Sequence, residues 1–200
     1  KNNYLANRKT ELNTDFKVSG NEYVIKKGQL AVDGLQFTLS GYFIREDKGE
    51  NNINFNVSAA NQNIGSFIEI LPESLNKKIS KFRSEGDFYF ETNIKGLLSN
   101  DRSPHIVGLF GIEDGKIAPT SSMKRLKNIH LKGYFSNGQY NSPQSSTIII
   151  KKISAELENS TFSGNGKIKN FDTPYFTFKG IGDIDAVNVK DFFELDTFET

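Results

Sequence analysis

Cysteine is absent from the 200 residues, so no disulfide, thiolate metal site or cysteine nucleophile is available. Tryptophan is absent too, and methionine occurs once. No charge of either sign dominates: 25 Lys and Arg stand against 24 Asp and Glu, a net +1. That balance provides no global field to gather phosphates, which argues against a nucleic-acid binder. No run of 18 apolar residues occurs, so no segment reads as a membrane-spanning helix. The chain opens at Lys1 without a basic n-region or an apolar h-region. It therefore reads as a segment of a larger polypeptide, with any signal or anchor elsewhere. What the chain does have is aromatic residues, 17 Phe and 7 Tyr, which a disordered segment would lack. At 22.5 kDa a compact fold would bury about 70% of the unfolded surface.

Period-two alternation dominates the chain. Leu12, Thr14, Phe16 and Val18 share one parity against Glu11, Asn13, Asp15 and Lys17. Successive strand side chains point to opposite faces, so this segment predicts a strand with one wet face. Gly20-Asn21 and Asp33-Gly34 read as turns, and Lys26-Lys27-Gly28 as a hairpin between Tyr23–Ile25 and Leu30–Val32. Leu35, Phe37, Leu39, Gly41 and Phe43 alternate next, then a charged loop from Arg45 to Asn52, then Ile53, Phe55 and Val57. After Gly86 come Phe88, Phe90, Thr92 and Ile94. His105 to Glu113 is apolar on both parities, which predicts a strand covered on both sides, and Glu113 to Lys116 reads as a hairpin turn. Ile129, Leu131, Gly133 and Phe135 alternate again, followed by strands at Thr147–Leu157, Phe162–Phe171 and Tyr175–Ile184. About eleven strands result, antiparallel because the connections are too short for crossovers.

The period changes once. Ile64, Phe67, Ile68 and Leu71 form a helical stripe with Asn63 as N-cap, and Leu75, Ile79 and Phe82 repeat it after Pro72. The spacing predicts two short helices bent at Leu71-Pro72. Asp191-Phe192-Phe193 reads as a short helical turn or a frayed end.

Glycines recur on the apolar parity at Gly41, Gly96, Gly133 and Gly180. Strand glycines mark bends, bulges or close approach, so their recurrence predicts a curved sheet. Catalytic patterns are sparse. His105 and His130 lack a third ligand at metal spacing. No nucleophile elbow occurs. Gly180-Ile181-Gly182 starts like a dinucleotide loop but has Asp at 185 and no following helix. Asp183 and Asp185 read as a solvated turn. Lys77, Lys78, Lys81 and Arg83 form a basic patch, read as a solvated helix face or as a contact for anionic lipid headgroups.

One stretch, Asn61 to Gly138, resembles the C-terminal region of AsmA-like proteins. The resemblance rests on Ile64-Gly65-Ser66-Phe67-Ile68-Glu69-Ile70-Leu71-Pro72, Ser84-Glu85-Gly86-Asp87-Phe88, Asn93-Ile94-Lys95-Gly96 and Pro104-His105-Ile106-Val107. It continues through Phe110-Gly111-Ile112-Glu113-Asp114-Gly115-Lys116-Ile117, Leu126-Lys127-Asn128-Ile129 and Tyr134-Phe135-Ser136-Asn137-Gly138. The resemblance implies a periplasmic chain held to the inner membrane by an N-terminal helix. It also implies kinship with bridge-like lipid transfer proteins, and a role in phospholipid movement or outer-membrane assembly. It carries no ligand-residue motif.

The expected fold is mainly β: a curved antiparallel sheet forming an open β-groove, with a two-helix insertion at about 64–82. One segment is expected throughout, with strands over 10–58, helices over 63–83 and strands over 86–190. Parity alone nominates the groove lining: Phe16, Val18, Phe37, Leu39, Phe55, Val57, Phe88, Phe90, Ile94, Phe110, Ile112, Leu131, Phe176 and Phe178. The expected partner is a phospholipid or other acyl lipid, with no enzymatic activity, cofactor or metal. The alternative is an interaction module whose open sheet edges pair with another repeat or an outer-membrane assembly protein. Parity does not distinguish an open groove from a closed sandwich, since both bury the same side chains.

Overall fold

The computed structural model describes residues 8–46, 49–69, 81–183, 185 and 192. Ten strands follow one another: β1 (Thr10–Ser19), β2 (Glu22–Val32), β3 (Leu35–Arg45), β4 (Asn51–Asn63) and β5 (Phe82–Leu98), then β6 (His105–Pro119), β7 (Leu126–Ser136), β8 (Thr147–Leu157), β9 (Ser160–Lys169) and β10 (Tyr175–Asp183). They form one antiparallel sheet in which spatial order equals chain order. The sheet is curved and unclosed, with β1 and β10 as its edges. The expected curved antiparallel fold is therefore the observed one. Among the described residues there are ten strands against about eleven expected, and two expected hairpins are bulges inside longer strands.

The first is at Lys26-Lys27-Gly28. Ile25 pairs with Gly41 and Gly28 with Leu39, so β2 spends one residue more than β3 here. The extra residue moves the apolar parity from Tyr23 and Ile25 to Leu30 and Val32, keeping both pairs on one face. The second is at Asp114. Its φ is +51° and the β6–β7 register shifts between Ile112 and Gly115, so the strand bends without turning back. The Asp33-Gly34 turn stands as expected, with φ of +48° and +90° in a two-residue hairpin.

Helix α1 (Ile64–Glu69) starts where expected. The Asn63 side-chain oxygen accepts the Ser66 backbone N–H at 3.0 Å, a side-chain N-cap. The second expected helix lies at residues 70–80, outside those described. Its expected last residue, Phe82, begins β5 instead, paired with Pro119. β5 therefore starts well before Gly86. The strand His105 to Glu113 is not covered on both sides, for Leu109 points away from the apolar face and is 47% exposed. Among the described residues nothing packs on that side of the sheet to bury it.

Candidate functional site: the apolar face

Cross-strand partners in an antiparallel sheet share a face, so the register assigns every strand residue to one side. Starting from Phe16 the pairings run Phe16–Ile25–Gly41–Phe55–Ile94–Ile106. A parallel row runs Phe90–Phe110–Gly133–Ile150–Gly166–Phe178. All fourteen residues nominated from parity (Phe16, Val18, Phe37, Leu39, Phe55, Val57, Phe88, Phe90, Ile94, Phe110, Ile112, Leu131, Phe176 and Phe178) fall on this one face. Away from the rims, the register brings no charged residue to it. Arg45, paired with Asn51 at the rim, is the nearest exception. The opposite face takes the polar parity. There Asn93 donates to Asn54 Oδ1 at 3.1 Å and to Asn56 Oδ1 at 2.9 Å, a side-chain ladder across β4 and β5.

The apolar face is closed in one place and open in others. Val32, Leu35, Phe37 and Ala59 are buried together, with Leu30, Phe67 and Phe90 packed against them. Helix α1 supplies that cover: the Phe67 ring lies 4.3 Å, centroid to centroid, from Phe88 and 6.4 Å from Phe90. Phe192, buried and 6.4 Å from the Phe82 ring, comes back onto the same end of the sheet. Between these covers lies an open-sided cleft of about 430 Å³. It is lined by Ile64, Phe67, Phe82, Phe88, Phe110, Ile112, Leu131 and Phe192 among others, and Ser84 is the one polar side chain among the described lining residues. That volume is in the range of small-molecule sites, about 300–1,000 Å³.

Toward the flanks nothing described covers the face. Phe16 is 54% exposed on β1, and Phe176 and Phe178 are 66% and 60% exposed on β10. Phe16, Tyr23 and Phe43 make an aromatic row along one rim, at 5.9 and 5.5 Å. Glycines on this face make room for neighbouring side chains. A Cβ on Gly133 would stand 2.4 Å from the Phe110 ring, and one on Gly164 2.7 Å from the Phe178 ring.

Of the expected basic patch, the two described residues, Lys81 and Arg83, are not on a helix. Lys77 and Lys78 lie outside the described residues, Lys81 is in a turn, and Arg83 is on β5. Arg83 points its guanidinium at the Ser122 carbonyl, 3.2 Å away.

A larger concavity of about 640 Å³ opens near His130, Glu156 and Asp183. Three of its polar side chains have partners: Asn128 donates to Glu156 at 2.8 Å and His130 sits 3.6 Å from Asp114. Asp185 lies nearby through its N–H to Ser160 Oγ at 2.9 Å. Among the described residues no three His, Asp or Glu side chains gather as a metal site.

Among the described residues, the resolved titration effects lie at exposed rims and loops. The Arg8 guanidinium and the Lys9 N–H hold the Asp33 carboxyl below its usual range, the Ser99 hydroxyl does so for Asp101, and Glu11 raises Lys9.

No family model, no curated protein and no solved structure matches this chain. Its function has to be argued from the face itself.

Proposed function

We propose that the apolar face binds the acyl chains of a lipid, making the chain a non-enzymatic lipid-binding or lipid-conducting segment. The observation that carries this is a face shared by ten strands that, among the described residues, holds no charged strand side chain away from its rims, yet leaves Phe16, Phe176 and Phe178 open to water. Large exposed apolar patches on a folded chain mark interaction sites. Two acyl chains carry on the order of 30 methylenes, each worth about 0.8 kcal/mol on leaving water. A carrier for them needs a continuous apolar surface and little else. The cleft beside α1 is the candidate seat for one chain, and the uncovered flanks for the remainder.

An AsmA-like membership, a periplasmic location, inner-membrane anchoring and a link to outer-membrane assembly all belong to the same proposal. They rest on the motif resemblance alone.

The test is gentle purification followed by native mass spectrometry, with uptake of a fluorescent phospholipid by the 200-residue chain. Bound lipid together with saturable uptake is the expected result. Phe176→Ser with Phe178→Ser, both on exposed positions that the fold does not need buried, should reduce uptake severalfold. Absence of lipid and of uptake, or uptake unchanged in this variant and in Phe110→Asp, overturns the reading.

A further inference from the structure

Among the described residues nothing pairs with the outer edge of either edge strand of the sheet. No described strand lies beyond β10, and every residue from Tyr175 to Asp183 is exposed. Natural edges are usually guarded by proline, bulges or several charges. β10 has no proline, pairs with β9 without a register shift, and carries one central charge, Lys179. β1, at the other edge, is exposed along nearly its whole length and alternates Leu12, Phe16 and Val18 with Glu11, Asp15 and Lys17.

Odd and even strands run in opposite directions through this meander. A copy of β1 laid beside β10 therefore continues the alternation. With the rims aligned, Tyr175 falls opposite Ser19 and Asp183 opposite Glu11. Lys179 then stands opposite Asp15, Phe178 opposite Phe16 and Phe176 opposite Val18. Gly180 and Gly182 meet Thr14 and Leu12. Among the described residues neither Lys179 nor Asp15 has an ion-pair partner within 4 Å in its own copy, although Lys27 stands opposite Asp15 on β2. In this register each gains one, and the apolar faces of the two sheets join. The single like-charged pair, Asp183 against Glu11, is at the rim in water. The competing arrangement, β10 against β10 with rims aligned, sets Lys179 opposite itself, which is unfavourable.

We propose that β10 of one copy pairs antiparallel with β1 of a second copy in this register. The contact is heterologous, so it propagates into a ring or an open array instead of stopping at a dimer. It uses the backbone edges and stands whether or not the face carries lipid.

Sedimentation velocity of the full chain over a range of concentrations tests it. The expected result is concentration-dependent growth beyond a dimer. Lys179→Asp should weaken assembly about five- to tenfold, and adding Asp15→Lys in the same chain should restore it. Because the chain has no cysteine, the double variant Lys17→Cys, Thr177→Cys reports register: oxidation should yield a ladder of linked copies. The control pair Asn13→Cys, Thr177→Cys should not. Circular dichroism checks that each variant is folded. A monomer at all concentrations overturns the proposal. So does assembly indifferent to Lys179→Asp, a disulfide formed within one copy, or a discrete dimer without the Lys17–Thr177 link.

Discussion

The ring of Phe110 on β6 lies across Gly133 on β7, its register partner, so closely that a Cβ on Gly133 would stand 2.4 Å from the ring's Cζ. The glycine is thus a seat for the phenylalanine, and the pair lets a large ring lie down on the sheet beside the cleft instead of standing up into it. Tyr89 repeats the arrangement over Gly111 on the other face, at 2.3 Å.

Gly133→Ala should therefore push the Phe110 ring off the sheet and destabilise the protein by about 1–3 kcal/mol, the usual cost of overpacking. Combining it with Phe110→Leu should recover part of that loss. A double-mutant cycle from urea midpoints measures the coupling. Simple additivity would show that the contact carries no energy.

Gly41 and Gly34 offer a matched contrast. Gly41 has φ +143° and a Cβ there would meet the Asn54 carbonyl oxygen at 2.0 Å, whereas Gly34 has φ +90° with nothing within 4 Å. Gly34→Ala should cost about 1 kcal/mol from backbone strain alone. Gly41→Ala should cost about 3 kcal/mol or more, since strain and a backbone clash combine. Thermal midpoints of the two variants check the order.

Asn63 caps α1 through its contact with the Ser66 N–H, and α1 brings Phe67 onto Phe88 and Phe90. Asn63→Ala should cost about 1 kcal/mol, while Asn63→Asp keeps the cap. Weakened packing of α1 should uncover the apolar cluster beneath it. Binding of a hydrophobic dye should then rise for the alanine variant and stay level for the aspartate variant.

Asp33 provides a pH prediction. Arg8 Nη1 lies 2.9 Å from Asp33 Oδ2, and the Lys9 N–H donates to Oδ1 at 2.9 Å. These contacts favour the charged carboxylate and lower its folded pKa. Because the folded pKa lies below the unfolded value of about 3.9, the contribution is complete above that value and is lost as pH falls through the folded pKa. Asp33→Asn tolerates the same positive φ but cannot ionise, so it should remove this part of the acid dependence. An NMR titration of the Asp33 carboxyl, expected to fall below the range of free aspartate, gives the direct measurement.

Much of this protein was legible in its residues. The alternation at Leu35, Phe37, Leu39, Gly41 and Phe43 assigns one side of β3 without reference to any neighbour, because a strand's side chains alternate by covalent geometry alone. The switch of parity between Ile25 and Leu30 was equally visible, but Lys26-Lys27-Gly28 reads as a hairpin because bulges and turns draw on the same residue types. Only the pairing of Gly28 with Leu39 and of Gly28 with Thr14 shows that the strand carries on. Phe82 was ambiguous for a related reason. It continues a helical spacing from Leu75 and Ile79, and equally a strand spacing toward Ser84 and Phe88. Its partner Pro119 decides for the strand.

The residues by themselves determined that one side of nearly every strand is apolar, where most tight turns fall, and that Asn63 starts a helix, because these follow from local backbone chemistry. Whether the apolar side would interlock with a second layer or lie open was not theirs to settle, since either outcome removes the same atoms from the same parity. The tertiary structure decided it through long-range pairing: all ten strands join in one unclosed sheet, α1 and Phe192 cover only one end of it, and no second sheet among the described residues covers the rest.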